Sequence, residues 1–369
     1  MLNEKLLCRI ALGLIPGIGC KSYRQLLELY SEPSDIFSLN HSELKSLFGE
    51  HIDIIAAIEK RQTFKRAEEE CLFIEKNKLT PLFCTEPSYP KRLNRADCAD
   101  TPPLLYLHGY CNLNAKYVVS VVGTRRITPY GRDMAENIIR QIANDDMLIV
   151  SGLAYGVDTV AHTAALANHL PTAGVLGHGL DRLYPPQNRN LALKMIEHNG
   201  CLLTEYPSQT EINPSYFPAR NRIIAALADA VIVVEAAEKG GALITANMAN
   251  SYHRDVFSVP GRCTDSYSRG CNNLIANNKA LIYNNAEDFY YNMGWSRNRK
   301  RTVEQKELFV SLNKEEQKIA DILKTEVTLG IDELCTKSEY SLPKVAATIL
   351  NLELKGVIKC LPGKMYKLI

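Results

Sequence analysis

Between Tyr117 and Gly261 the chain carries six short apolar runs: YVVSVVG, MLIVSG, TAGVLG, CLLTEY, AVIVVEA and DVFSVPG. Most are apolar almost throughout rather than alternating, the pattern of strands buried on both faces of a parallel sheet. Helical stretches such as YGRDMAENIIRQIAND and DTVAHTAALANH separate the first few. That alternation points to a doubly wound, Rossmann-like α/β core. Ligands of such sheets bind beyond the carboxyl ends of the strands, so the residues just after each run are the candidate site.

At 369 residues the chain is longer than one such core, and its flanks read differently. Near the start, LGLIPGIGCKSYRQLLELY sets Pro16-Gly17-Ile18-Gly19 between two helical patterns. This predicts a helix-hairpin-helix or SAM-like domain over residues 1–62. Its glycine turn either offers N–H groups to a DNA phosphate or is only an element of the fold. Ser34 and Asn40 or Ser42 are the expected N-caps of two further helices. Tyr89-Pro90 and Thr101-Pro102-Pro103 mark an extended connector at the front of a core domain spanning 63–295. After the basic linker WSRNRKRTVEQ, residues 303–369 read as three helices and two short strands about a Pro-Gly turn, the pattern of a winged helix. Lys344, Thr348, Asn351 and Lys355 share one face of its third helix, and Lys359, Lys364 and Lys367 fall in the wing. Duplex DNA and a docking protein both remain open as partners of that face.

The formal net charge of +2 means that any nucleic-acid contact must come from local clusters. No apolar run is long enough to span a membrane, and the N-terminus lacks a signal-cleavage pattern. The 11 cysteines are odd in number and never spaced C-x-x-C, as expected of reduced thiols in a cytoplasmic protein. His162 has no second ligand beside it, so no metal is expected.

The post-strand loops carry glycines and arginines repeatedly. They hold Gly123-Thr124-Arg125-Arg126, then Ser151-Gly152, then Gly177-His178-Gly179 with Arg182 and Tyr184-Pro185. FPARNR follows, with Phe217, Arg220, Asn221 and Arg222, and Gly240-Gly241 opens another helix. Glycine lets a backbone approach a ligand with its N–H groups exposed, and arginine adds bidentate phosphate contacts. A polyanion is the expected ligand, with Arg125 and Arg220 the leading phosphate contacts and Phe217 a stacking surface for a base. Arg220 and Arg222 have an alternative, pairing with Glu205, Glu211 or Glu235 to staple the loop. Asp158 is expected to N-cap its helix, which leaves the Ser151-Gly152 loop to shape the pocket while neighbours meet the phosphate. Asp158 and Glu235 are carboxylates near this edge, yet no Ser-His-Asp set, Walker lysine or metal cluster accompanies them. A binding protein without cofactor is expected rather than an enzyme.

In order along the chain, VVGTRRITPYG, SGLAYGVDTVAH, LGHGLDRLYPPQN, YFPARNRIIAALADAVIVVEA, GGALITANMA and FSVPG resemble the core of the DprA (Smf) DNA-processing family. The resemblance implies a single-stranded DNA-binding protein, dimeric through its core, that protects incoming DNA in natural transformation and helps load the recombinase RecA. It assigns Arg125, the Ser151-Gly152 loop, Arg220 and Arg222 to the DNA groove. Pro186 stands where some members carry a basic residue, and Arg189 is expected to supply that charge. Ala242 stands where the family often has serine. The alternative is a nucleotide-processing enzyme of the nucleoside monophosphate phosphoribohydrolase type, whose P-G-G-x-G-T-x-x-E motif is echoed only in part by EKGGALITANMA. A pure interaction scaffold, its core reduced to dimerisation, is a third possibility.

Overall fold

A computed structural model describes residues 3–296, 312–326, 328–361 and 365–368. The basic linker from 297 onward and the Pro362-Gly363-Lys364 turn lie outside the described residues. The chain divides into two compact units, 1–299 and 300–369.

Six helices open the first unit: α1 (Glu4–Gly13), α2 (Cys20–Leu29), α3 (Pro33–Ile36), α4 (His41–Phe48), α5 (Ile52–Glu59) and α6 (Phe64–Lys76). Asn40 caps α4 through a reciprocal capping box with Glu43. Ser34 caps nothing, because α3 already begins at Pro33 with Glu32 before it. Gly17 turns the hairpin between α1 and α2 with φ +93°, which a side chain would strain. Ile18, Gly19 and Cys20 then line a cavity of about 120 Å³ against Pro102, Pro103, Tyr106 and Glu205. Within the turn Ile18 is buried, whereas Pro16, Gly17 and Gly19 are exposed.

Two strands flank the expected extended connector, β1 (Thr80–Phe83) before Tyr89-Pro90 and β2 (Leu104–Gly109) after Thr101-Pro102-Pro103. Phe83, Leu104 and Tyr106 share an apolar cluster with Ile10, Tyr23 and Ile58 of the helices, so the helical layer packs on this edge of the sheet. The strands β3 (Tyr117–Val122), β4 (Met147–Ser151), β5 (Thr172–Val175), β6 (Cys201–Thr204), β7 (Ala230–Val233) and β8 (Asp255–Ser258) coincide with the six apolar runs. A short β9 (Leu281–Ile282) completes the order β1-β2-β6-β5-β4-β3-β7-β8-β9. Pairing is parallel from β6 to β9 and antiparallel where β1 and β2 are added.

Side chains alternate between two clusters as the strand period requires. Val118 and Val122 of β3 join Leu148, Val231 and Val233 on one face, while Val119 and Val121 join Ile149 and Ile232 on the other. The first face is covered by α10 (Tyr216–Leu227), α11 (Gly241–Ser251) and α12 (Arg269–Ala276). The second is covered by α7 (Pro129–Ile142), α8 (Val157–Ala167) and α13 (Ala286–Asn292). The remaining helix, α9 (Arg189–Glu197), packs its Ala192 and Met195 against Leu176 and Leu202.

His162 of α8 is fully buried, with Nδ1 2.7 Å from the Thr172 hydroxyl. That hydroxyl donates onward to the Ile149 carbonyl, so Nδ1–H is the donor to it. Burial, reinforced by the charge of Arg220, lowers the His162 pKa to about 3. Burial lowers that of His178 as well. Below about pH 6.5 the unfolded chain thus takes up protons that the native chain refuses, so stability falls as pH drops from there towards 3. His162 alone accounts for about 2 kcal/mol of loss by pH 5, at 1.36 kcal/mol per pH unit. We expect His162→Gln, which keeps a donor for Thr172, to narrow the gap between urea midpoints measured at pH 7 and pH 5.

The second unit has α14 (Lys314–Thr325), β10 (Leu329–Gly330), α15 (Ile331–Ser338), α16 (Leu342–Leu354), β11 (Ile358–Leu361) and β12 (Met365–Leu368). Its strands pair in the order β10-β12-β11, and Ile319, Leu323, Leu334, Val345, Ile349 and Leu352 fill the core of a winged helix. The polar face predicted for α16 is weaker than its sequence suggests. Thr348 is buried and donates to the Lys344 carbonyl, Lys344 pairs with Glu315 at 2.6 Å, and Lys355 pairs with Glu316 at 2.7 Å. Leu350 and Leu354 are instead 57% and 78% exposed.

Candidate nucleic-acid interface

From β3 the chain lays down β4, β5 and β6 on one side, then crosses back to place β7 and β8 on the other. The loops leaving β3 and β7 therefore diverge, and a crevice opens at that switch point. It is a groove of about 970 Å³. Of the residues predicted from the sequence, Gly123, Thr124, Arg125, Phe217, Arg220, Asn221, Gly240 and Gly241 line it. Arg125 is exposed and, among the described residues, makes no ion pair. Its guanidinium lies 5.7 Å from the centre of the Phe217 ring, within reach of a cation–π contact, and that ring packs 5.7 Å from Tyr184.

On the opposite wall α11 starts at Gly241 with no acidic residue in its first turn, and Gly240 faces open space. The unpaired amides of a helix start favour an anion there. Lys239 and Asn247 also line the groove, with Ile212, Pro214 and Ile244 as apolar rim. Sequence reasoning missed these five. Lys239 had a signal, its place beside the Gly240-Gly241 pair; the apolar rim had none, because it forms only when the loop before α10 folds against α11.

Other predicted residues lie beneath the groove or away from it. Ser151 is buried and donates to the Val121 carbonyl at 2.7 Å. Gly152 and Gly177 are buried under the Arg125–Tyr184–Phe217 corner. A Cβ on Gly179 would fall 2.4 Å from the Pro207 carbonyl oxygen, so its glycine serves packing. Arg126 and Arg189 are exposed but outside the groove lining. Arg182 pairs with its neighbour Asp181.

Arg220 is only 4% exposed. It donates to the Val175 carbonyl, to the Gly152 carbonyl at 2.8 Å and to Asn221 Oδ1 at 3.1 Å, tying the ends of β4 and β5 together. Burial lowers its pKa to about 10, with the like charge of Arg125 adding to the effect and Asp158 opposing it. Arg222, two residues on, points elsewhere and is claimed by Glu205 through bonds of 2.5 and 2.6 Å. Burial alone would lower its pKa, but the Glu205 bonds hold it above the ordinary arginine value. For Arg222 the stapling alternative is the arrangement found.

Asp158 does not cap α8. The helix begins at Val157 after Gly156, and the Asp158 carboxylate folds back to accept the N–H groups of Gly152 and Ala154, each at 3.2 Å. Burial raises its pKa, against the charge of Arg220. Glu235 behaves alike at the start of α7, accepting from the Thr128 N–H at 2.9 Å and its hydroxyl at 2.7 Å. Gly156 has φ +79°, and a Cβ there would fall 2.1 Å from the Thr124 carbonyl oxygen. The glycines of this loop thus let the β3 and β4 loops touch.

Residues 80–294 match the family model described as DNA recombination-mediator protein A, and residues 308–364 match the DprA winged helix domain. The chain belongs to the DNA recombination-mediator protein A family. Among curated members of this DprA/Smf family, it is 42% identical over 214 residues to Protein Smf of Synechocystis sp., covering 56% of this chain and 53% of that protein. To the DNA processing protein DprA of Bacillus subtilis it is 39% identical over 192 residues, covering 52% and 64%. In both cases the match spans less than two thirds of the relative's own length. The solved structure of DprA from Streptococcus pneumoniae superposes with a TM-score of 0.64 at 30% identity, covering 77% of this chain and 97% of that one. DNA processing protein A of Helicobacter pylori, solved for its single-stranded DNA binding mode, gives 0.52 at 31% identity, covering 58% and 95%.

Proposed function

We propose that the groove at the β3/β7 switch point binds single-stranded DNA by its sugar–phosphate backbone. Phosphates lie between Arg125 and the start of α11, and a base stacks on Phe217. The observation that carries this reading is Arg125, an exposed arginine without an ion partner among the described residues, set over an aromatic ring at the mouth of the groove. A backbone-lined groove with an aromatic platform suits a single strand of any sequence, because every base has a π-face. The single-stranded DNA binding of the Helicobacter pylori relative supports the same ligand class. Arg220, Ser151, Gly152, Gly177 and Gly179 act in this reading as the rigid floor, and Arg222 as a staple.

In the cell we place the protein among mediators that protect incoming single strands during natural transformation and pass them to RecA. It works in the cytoplasm as a homodimer without turning over a substrate, and 1–62, 63–295 and 303–369 are its three domains. The exposed Leu281 and Ile282 on the terminal strand β9 support a partner copy at that edge.

The test is fluorescence anisotropy with labelled single-stranded and duplex oligonucleotides across a salt series. We expect tighter binding to the single strand, with log affinity falling linearly in log salt. Counterion release predicts a lower slope for Arg125→Ala, by roughly 0.7 for each phosphate that the missing guanidinium no longer neutralises. Equal affinity for single strand and duplex, with an unchanged slope in the variant, would refute the reading.

A further inference from the structure

We propose that the loop after β4 is an anion cradle which the chain fills with its own Asp158 carboxylate, and that this carboxylate keeps inorganic phosphate out. A strand, a glycine loop and a helix start are the usual elements of a phosphate site, and here the position is taken. The N–H groups of Gly152 and Ala154 converge on one oxygen, Asp158 Oδ2, at 3.2 Å each. Asp158 is only 8% exposed.

A cation completes the cradle. A Cβ built on Gly152 would fall 2.7 Å from Arg220 Nη2 and 2.8 Å from Asp158 Oδ2, so only a glycine leaves room for the buried guanidinium and the buried carboxylate on that side of the loop. The hydrogen bonds of Arg220 go to two backbone carbonyls and a side-chain amide, all neutral. Asp158 is therefore both the ligand of the loop amides and the countercharge of Arg220. Removing it leaves two inward N–H groups and a buried positive charge around an empty volume, the conditions under which a small oxyanion binds.

The inference rests on the groove reading for its consequence. Glu235 fills the start of α7 in the same way. The loop amides after β4 and the Thr128 amide before α7 are both held by carboxylates, and the first turn of α11 has no acidic residue, so a strand's phosphates are confined to the α11 side of the groove.

The test compares the full-length wild type, Asp158→Gly and Asp158→Asn by thermal melting in sodium formate, sodium phosphate and sodium chloride at equal ionic strength. Asp158→Gly is expected to gain melting temperature in formate and in phosphate, saturating with concentration as binding to the native state requires. The wild type and Asp158→Asn, whose cradles are full, should show no such gain. Equal midpoints for Asp158→Gly in all three salts overturn the proposal, and a gain in formate alone overturns the exclusion of phosphate. If Asp158→Gly folds in none of them, Asp158→Asn decides. It fills the cradle without charge, so the proposal expects it to be less stable than the wild type, with neither anion restoring it. Wild-type stability in that variant overturns the proposal. Oligonucleotide binding measured on the wild type separates the two ideas. Its absence refutes the groove reading and leaves the anion-dependent gain standing, whereas a missing gain with DNA binding intact refutes only the cradle.

Discussion

The Arg125→Ala, Phe217→Ala double variant is expected to bind a mixed-sequence single strand on the order of 100-fold more weakly than the wild type. A charge-assisted hydrogen bond contributes roughly 1.5–3 kcal/mol and a base stacked on an aromatic ring about 1–3 kcal/mol. The two side chains touch, so their losses do not add fully, and a combined 2–4 kcal/mol is a reasonable expectation. Both lie at the groove mouth, and Phe217 is only half-buried, so the variant should keep the wild-type melting temperature to within a few degrees. Each single variant has its own signature. Arg125→Ala lowers the salt slope, whereas Phe217→Ala lowers affinity at every salt concentration and leaves the slope alone. Anisotropy titrations at two or more salt concentrations check both. Wild-type affinity in the double variant would mean that the strand lies elsewhere.

The contrast between Arg125 and the two arginines of α10 shows where sequence reading stops. The β3 to β8 strands were legible because burial on both faces writes a continuous apolar run into each of them. Strand β1 was not, since TPLF is four residues with a proline inside it, and its pairing depends on the helices that pack over Phe83. The two-residue β9 carries almost no local signal. In the site, a glycine or arginine after a strand was easy to find, but its direction was not. Arg220 and Arg222 are two residues apart on one helix and so point about 200° apart. One runs under the β4 and β5 loops and the other towards Glu205 and Cys20. Asp158 was misread for a related reason. An acidic residue at a helix start looks like a cap, and only the path of the preceding loop decides whether its carboxylate meets the helix amides or those of Gly152 and Ala154.

Glu205→Ala is expected to destabilise the protein by about 3–5 kcal/mol, because it strands a largely buried guanidinium. Glu205 and Arg222 side chains are each 13% exposed and meet in two parallel bonds. Arg222 also donates to the Asp100 carbonyl at 3.1 Å and touches Cys20 Sγ at 3.5 Å, so one side chain links α10, the end of β6, the connector and the first turn of α2. With the carboxylate gone, the remaining partners are neutral, and the helical layer loses a fastening to the sheet. Replacing both partners by apolar groups, Glu205→Leu with Arg222→Met, removes the stranded charge as well as the attraction, so most of the stability should return. Urea midpoints of the two variants measure this directly. DNA affinity gives the second arm, since Arg222 is committed to Glu205 and the strand is assigned to Arg125. The apolar pair should bind a single strand within about twofold of the wild type, a difference of roughly 0.4 kcal/mol. A tenfold loss of affinity in that variant, at restored stability, would return Arg222 to the DNA groove and make its pairing with Glu205 a contact that the strand displaces.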